Sequence, residues 1–340
     1  GLTAPIEFTD HHTAHAASAY YGSPFDEALV ITLDGEGDGL CGSCWAGKAG
    51  RLERLETFSE GASLGLFYKS ITAFLGFKVN QQEGKVTGLA AYGNPERFAE
   101  RLREFLYAET LNGSLRVVSK AADRHMTRLS RRKVFFLRLL SYVPLALRAR
   151  EWEVLFNEML RREYREFYHD LFDVDGQDPV PLSIAADIAA AAQQVFETAA
   201  LAIVRYCRGR FPSRNVALAG GVFANVRLNQ RILETPGVES VYICPAMGDE
   251  GLAFGSAMLR AYAKQQRKPS AALDHVFAGP VYDEAAICSA LSAWGGPSAS
   301  LDDDALIAQA VKALQEGRIV GLFRGASEYG PRALGHRSIL

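Results

Sequence analysis

Ala28-Leu29-Val30-Ile31-Thr32-Leu33-Asp34-Gly35-Glu36-Gly37-Asp38-Gly39 is the stretch on which the fold turns. A short, unbroken apolar run closed by glycines reads as a buried strand. It ends on a carboxylate in a glycine-rich loop, residues 40–47 return as its hairpin partner, and 51–57 add a third strand. Just upstream lies His11-His12-Thr13-Ala14-His15. On a helix, positions i and i+4 share a face, so His11 and His15 reach one ion while His12 points elsewhere. Imidazole nitrogen plus the Asp34 carboxylate suits a borderline divalent cation such as iron, zinc or manganese. The bland alternative is a pair of satisfied surface or core histidines.

The 340 residues exceed one average domain and fit two modest ones or a duplicated fold. A hydrophobic content of 48% supports a sizeable core, and the net charge of −2 advertises no nucleic acid partner. No run of eighteen apolar residues is free of charge, and no charged and apolar leader opens the chain. Five cysteines, odd and sparse, suit a reducing, cytoplasmic location. Cys41 and Cys44 have C-x-x-C spacing but lie in an expected strand, where residues three apart face opposite sides, and no second pair follows.

Farther along, the spacing predicts a helix over 64–76 capped near Ser63, and another from Pro95 to about 108. Residues 124–150 hold eight Arg or Lys and no acid, interleaved with Phe135, Phe136, Leu137, Leu139 and Leu140. They read as a solvated helical insertion or, more sharply, as a weak peripheral membrane contact or a site for an anionic partner. The clearest long helix spans 184–208. The strand Asn215–Ala219 then runs into Gly220-Gly221 and a helix, a junction where backbone N–H groups approach a phosphate closely. Asn225 and Asn229 are placed on one face of that helix. A strand over 241–245 leads to Gly248-Asp249-Glu250-Gly251, where Asp249 is either an N-cap or a ligand at a strand-to-helix junction. Gly251 and Gly255 open that helix to close packing. This order fits a duplicated α/β fold with a cleft.

Six blocks in order resemble the NodU/CmcH-type O-carbamoyltransferase family: His11-His12-x-x-His15-Ala16-Ala17-Ser18-Ala19-Tyr20, Asp34-Gly35-x-Gly37, Glu83-Gly84-Lys85-Val86-x-Gly88-Leu89-Ala90-x-Tyr92-Gly93, Gly220-Gly221-Val222-x-x-Asn225, Gly248-Asp249-x-Gly251, and Glu328 to Ser338. In the last block His336 stands where the family usually has Asn. The resemblance implies a duplicated actin/Hsp70/sugar-kinase-like (RNase H-like) α/β fold with a helical insertion. The expected layout is 1–109 as the remainder of the first actin-like half, 110–180 as a mainly helical insertion, 181–265 as the second half, and 266–340 as a connector and the start of an adenylate-forming domain. The chain opens on Gly1 and stops at Leu340, so truncation at both ends is expected.

The resemblance also implies a reaction. Carbamoyl phosphate and ATP give carbamoyl-adenylate, whose carbamoyl group passes to a hydroxyl of a small-molecule or saccharide acceptor. His11, His15, Asp34 and Asp249 match the metal positions, with iron as the implied ion. His11, His12, His15 and Asp34 form the expected catalytic set, with His12 or a metal-bound carboxylate as base. Gly39, Glu83, Lys85, Gly220, Gly221, Asn225, Arg332 and Arg337 are the expected cofactor contacts. Forked Arg contacts suit phosphate. A homodimer is compatible with the sequence. The rival readings are a threonylcarbamoyl-type transferase acting on tRNA and a non-catalytic ATP-binding module. A zincin is disfavoured because position 12 is His rather than the general-base Glu.

Overall fold

β1 (Glu27–Gly37) alternates strictly: Leu29, Ile31 and Leu33 enter one apolar cluster, and Ala28 and Val30 enter another. That period of two fixes a strand buried on both faces, with helices on each side. The computed structural model describes residues 6–129, 149–172, 174, 179–265, 267–268, 273 and 275–340. They fall into two units, Gly1–Ser270 and Ala271–Leu340.

In the first unit β1 pairs antiparallel with β2 (Leu40–Lys48), which pairs antiparallel with β3 (Arg51–Ser59). On its other edge β1 pairs in parallel with β6 (Asn215–Ala219), and β6 with β7 (Ser240–Ile243). β4 (Leu106–Leu111) and β5 (Ser114–Ser119) form a separate hairpin. The five-stranded order is β3-β2-β1-β6-β7. β6 repeats the alternation of β1, with Val216 and Leu218 on one face and Ala217 and Ala219 on the other.

The small-residue face is covered by α1 (His11–Gly22), through Ala16, Ala17 and Tyr20. The larger core on the opposite face holds α2 (Leu64–Phe74), α4 (Ala149–Phe172) and α5 (Leu182–Arg210). α3 (Glu83–Leu89) and α6 (Val226–Leu233) are shorter. α7 (Leu252–Tyr262) lies against α1, where a Cβ on Gly255 would sit 1.9 Å from the Ala14 carbonyl oxygen. The glycine is therefore the condition for that helix contact. α5 is, among the described residues, the helix long and apolar enough to cross a membrane, and 67% of that stretch is buried in the core.

Several expectations are corrected. The segments 1–109 and 181–265, expected as two halves, supply strands to one sheet, because β1 and β6 pair directly. The helix expected over 95–108 is instead a tight turn at Pro95–Arg97, a short helix at Ala99–Leu102 and the start of β4. Asn112 and Gly113, both at positive φ, make a two-residue hairpin turn that the helical reading overlooked. The mainly helical insertion 110–180 thus begins in a hairpin. Most of the basic segment 124–150, residues 130–148, lies outside the described residues. Cys41 and Cys44 join the same core cluster as free thiols, since the β2–β3 register slips between Leu40 and Gly42.

The second unit contains α8 (Glu284–Trp294), α9 (Asp303–Gln315) and a short antiparallel pair, β8 (Gly321–Phe323) with β9 (Arg337–Ile339). Asp283 and Asp302 cap the two helices. Among the described residues of this unit, Glu328 alone is buried.

Candidate metal centre

The start of α1 is held from three sides. Asp10 is its N-cap, accepting from the Thr13 N–H at 3.0 Å. Arg54, lying 4.4 Å over the Trp45 ring, places one nitrogen 2.9 Å from both Asp10 carboxylate oxygens. The His11 N–H donates to Asp38 Oδ2 at 2.8 Å, from the β1–β2 turn. A capped first turn with satisfied donors fixes the direction of the side chains that follow.

His11 and His15 then bring their Nε2 atoms to 3.1 Å. Asp34 Oδ2 lies 3.0 Å from His15 Nε2 and 3.8 Å from His11 Nε2. Asp249 Oδ1 is 3.6 Å from each imidazole. These four ligand atoms all lie within 4.8 Å of one another. Asp249 is the first residue of a tight turn, Asp249–Gly251, whose N-cap position falls on Gly248, so the capping role is not the one it plays. The carboxylate of Asp34 is aimed by the Gly35 N–H at 2.6 Å and by the Gly221 N–H at 3.1 Å.

Electrostatics follow from this packing. Burial would lift the Asp34 carboxyl, but His11, His15 and the Gly221 N–H hold it far below the usual carboxylate range. Burial would lower His15, but Asp249 and Asp34 outweigh it and raise it. Two carboxylates facing two imidazoles carry excess negative charge and converging lone pairs. A divalent cation satisfies both, and the mixed nitrogen and oxygen donor set fits a borderline ion.

His12 is different. It is fully buried, with Nδ1 2.9 Å from Thr32 Oγ1, and Thr32 in turn 2.7 Å from Ser43 Oγ. The Trp45 indole donates to the same Ser43 hydroxyl at 2.7 Å. Burial, only partly offset by the Leu40 backbone, pushes the imidazole down to about 4. His12 is therefore a buried, neutral imidazole turned toward Thr32 of β1 and Ser43 of β2.

The glycine junction holds the cluster from behind. Gly220, at φ 106, gives its N–H to the Met247 carbonyl at 2.6 Å, and a Cβ there would meet the Leu33 oxygen at 2.1 Å. Gly221 donates to Asp34. Asn225 is not on the helix face with Asn229; it is the N-cap of α6, accepting from the Leu228 N–H at 3.0 Å. Asn229 donates to the Phe223 carbonyl at 2.8 Å. Gly39 sits exposed at φ 79 in the β1–β2 turn. Glu83 accepts from the Asn80 N–H at 2.5 Å, and Lys85 is exposed on α3. In the second unit Arg337 turns to Glu328 at 3.3 Å and to the Gly330 carbonyl, and Arg332 is exposed.

Sequence reasoning missed Asp38, Arg54 and Gln193. Asp38 belongs to the same glycine-rich loop as Asp34, and Gln193 is a polar side chain beside an alanine run, Ala189 to Ala192. Both were visible as residues, though not as partners.

The family model described as carbamoyltransferase N-terminus matches residues 2–258, and that described as carbamoyltransferase C-terminus matches residues 311–340. An uncharacterized protein of Synechocystis sp. is 32% identical over 348 residues, which cover 99% of this chain and 50% of that protein. Nodulation protein NolNO of Sinorhizobium fredii is 30% identical over 336 residues, covering 98% and 43%. A crystal structure of full-length HypF in the phosphate- and nucleotide-bound form aligns over 76% of this chain and 43% of that chain, at 16% identity and a TM-score of 0.37. The chain spans about half the length of the curated relatives it matches.

Proposed function

This chain belongs to the carbamoyltransferase family, and on that premise we propose that it supplies the metal-dependent transfer site of an O-carbamoyltransferase. The observation that carries the reading is the convergence of His11, His15, Asp34 and Asp249, from three distant stretches, within 4.8 Å. The sheet order β3-β2-β1-β6-β7, three antiparallel strands continued by two parallel ones, supports an actin-like, RNase H-like identity for the first unit.

In the reaction proposed for the whole protein, water releases carbamate and phosphate from carbamoyl phosphate, and the carbamate oxygen bonds to the α-phosphorus of ATP, giving carbamoyl-adenylate as pyrophosphate leaves. The oxygen of an acceptor hydroxyl, on a sugar-containing molecule, bonds to the carbamoyl carbon. The mixed-anhydride C–O bond breaks, and AMP leaves with the electron pair. A divalent ion, iron by family resemblance, supplies Lewis-acid stabilisation of the oxygen that gains charge. His11 and His15 hold that ion from the helix, and Asp34 stays ionised under its two backbone donors. Asp249 is 72% exposed, on the solvent side of the cluster, where an incoming hydroxyl is able to surrender its proton. His12, buried and neutral, keeps α1 seated rather than moving protons.

The test uses the full-length protein. His15→Ala is expected to abolish carbamoyl transfer while carbamoyl-adenylate formation persists. Loss of both half-reactions together contradicts this division of labour.

A further inference from the structure

We infer that Gln193 and Asn225 are positioning residues for the metal cluster, their paired side-chain amides setting the turn that aims Asp34. The inference rests on the reading of His11, His15, Asp34 and Asp249 as a metal centre.

Gln193 Nε2 donates to Asn225 Oδ1 at 3.0 Å, and Asn225 Nδ2 donates back to Gln193 Oε1 at 2.9 Å. The two amides thus pair head to tail. Their remaining capacity is also used. Gln193 Oε1 accepts from the Tyr68 hydroxyl at 2.8 Å, and Gln193 Nε2 donates to Glu197 at 2.8 Å. Asn225 Oδ1 accepts from the Leu228 N–H at 3.0 Å, and Asn225 Nδ2 reaches Thr87 Oγ1 at 3.4 Å. Every donor and acceptor of both amides has two partners, the full capacity of the group.

Gln193 and Asn225 are both buried. A fully satisfied buried network rigidifies its surroundings, whereas a partly satisfied one is costly. It ties α5 to α2 through Tyr68, to α3 through Thr87, and to the 220–225 turn through Asn225. That turn is closed by Phe223 N–H to the Gly220 carbonyl at 3.0 Å and by Asn225 N–H to the Val222 carbonyl at 3.2 Å. Two of its N–H groups reach outward, Gly220 to the Met247 carbonyl and Gly221 to Asp34 Oδ2. Pinning Asn225 therefore pins Gly221, and Gly221 sets the angle at which Asp34 faces His15. Neither amide touches the cluster itself. Asn225, which family resemblance gives to the nucleotide, has no donor or acceptor left over for it.

Cobalt(II) reports on this directly, because its visible d–d absorption depends on ligand geometry. Anaerobic cobalt titration of the wild-type chain is compared with Gln193→Leu and Asn225→Asp, which removes a donor and sets oxygen against Gln193 Oε1. Both folded variants are expected to bind cobalt about 10- to 100-fold more weakly, as disturbed outer partners of metal sites do, with a shifted band. Val195→Ala, a core truncation on the same helix, is expected to leave the band in place. Should Gln193→Leu or Asn225→Asp not fold, Tyr68→Phe, which removes one donor to Gln193, is expected to shift the band in the same direction by less. Wild-type affinity and an unmoved band in the folded variants overturn the inference alone. A wild-type chain without a cobalt band that His15→Ala abolishes overturns the metal reading and the inference together.

Discussion

Asp34 in the first unit and Glu328 in the second each accept two backbone N–H groups and each face basic side chains. Asp34 takes the Gly35 and Gly221 donors and meets His11 and His15. Glu328 takes the Leu334 and His336 donors, at 2.7 and 2.8 Å, and meets Arg337. The difference is where the partners come from. Those of Glu328 lie within the same short loop, so its charge is consumed in closing that loop. Besides its neighbour Gly35, those of Asp34 arrive from the first helix and from the 220–225 turn, and Asp249 joins the same imidazoles from the entry to α7. Long-range convergence with an open side marks a site, whereas local closure marks a structural knot.

The sharpest way to break the contrast is to neutralise both acids. Asp34→Asn is expected to weaken divalent metal binding by more than the ~100-fold upper range for outer partners, read by anaerobic calorimetry. Glu328→Gln is expected to leave that affinity where it is. Equal effects, or none from Asp34, would erase the distinction. A second probe targets how distant partners are brought together. Gly255→Ala places a methyl against the Ala14 carbonyl, one residue from His15, so α1 and α7 must part. The expected cost is about 1–3 kcal/mol of stability by urea unfolding, with weaker metal binding.

The local knot has its own pH signature. Burial would raise Glu328, but the His336 and Leu334 N–H groups, with others of the loop, lower it to about 2 from 4.5. A carboxyl depressed in the folded state contributes stability in full above its unfolded value, and this contribution drains away as pH falls through the folded one. Amide exchange at Leu334 and His336 is thus expected to stay protected at pH 4 and to accelerate toward pH 2. Loss of protection already at pH 5 would show that the carboxylate does not hold the loop. The smallest effect belongs to neither region. Arg214 and Glu239 pair at 2.6 Å but are mostly exposed, so Arg214→Ala is expected to change stability by only about 0.5 kcal/mol or less.

Much of this was legible from residues alone, for reasons that differ by element. β1, β6, α2 and α5 were readable because apolar period and end signals agree, as with Ser63 capping α2. The spacing of His11 and His15 was readable because a helix fixes it. What the sequence does not carry is pairing across distance. The two stretches expected as separate halves share one sheet, a matter of β1 meeting β6. His12 looked as able as its neighbours, yet the helix turns it into a pocket lined by Thr32 and Ser43, and only tertiary packing decides that. Asn225 kept its place in a motif, but its partners in the fold, the Leu228 N–H, Gln193 and Thr87, come from elements that the spacing could not name. The hairpin at 106–119 was missed where Asn112-Gly113 competed with a helical pattern.

The most direct measurement is the metal content and ligation of the protein reconstituted anaerobically with iron(II) and freed of excess. The account expects one tightly held ion per chain, with X-ray absorption showing two imidazole ligands, and none retained in His15→Ala. Substoichiometric iron, or an ion that survives the loss of His15 with its imidazole signature intact, would contradict it.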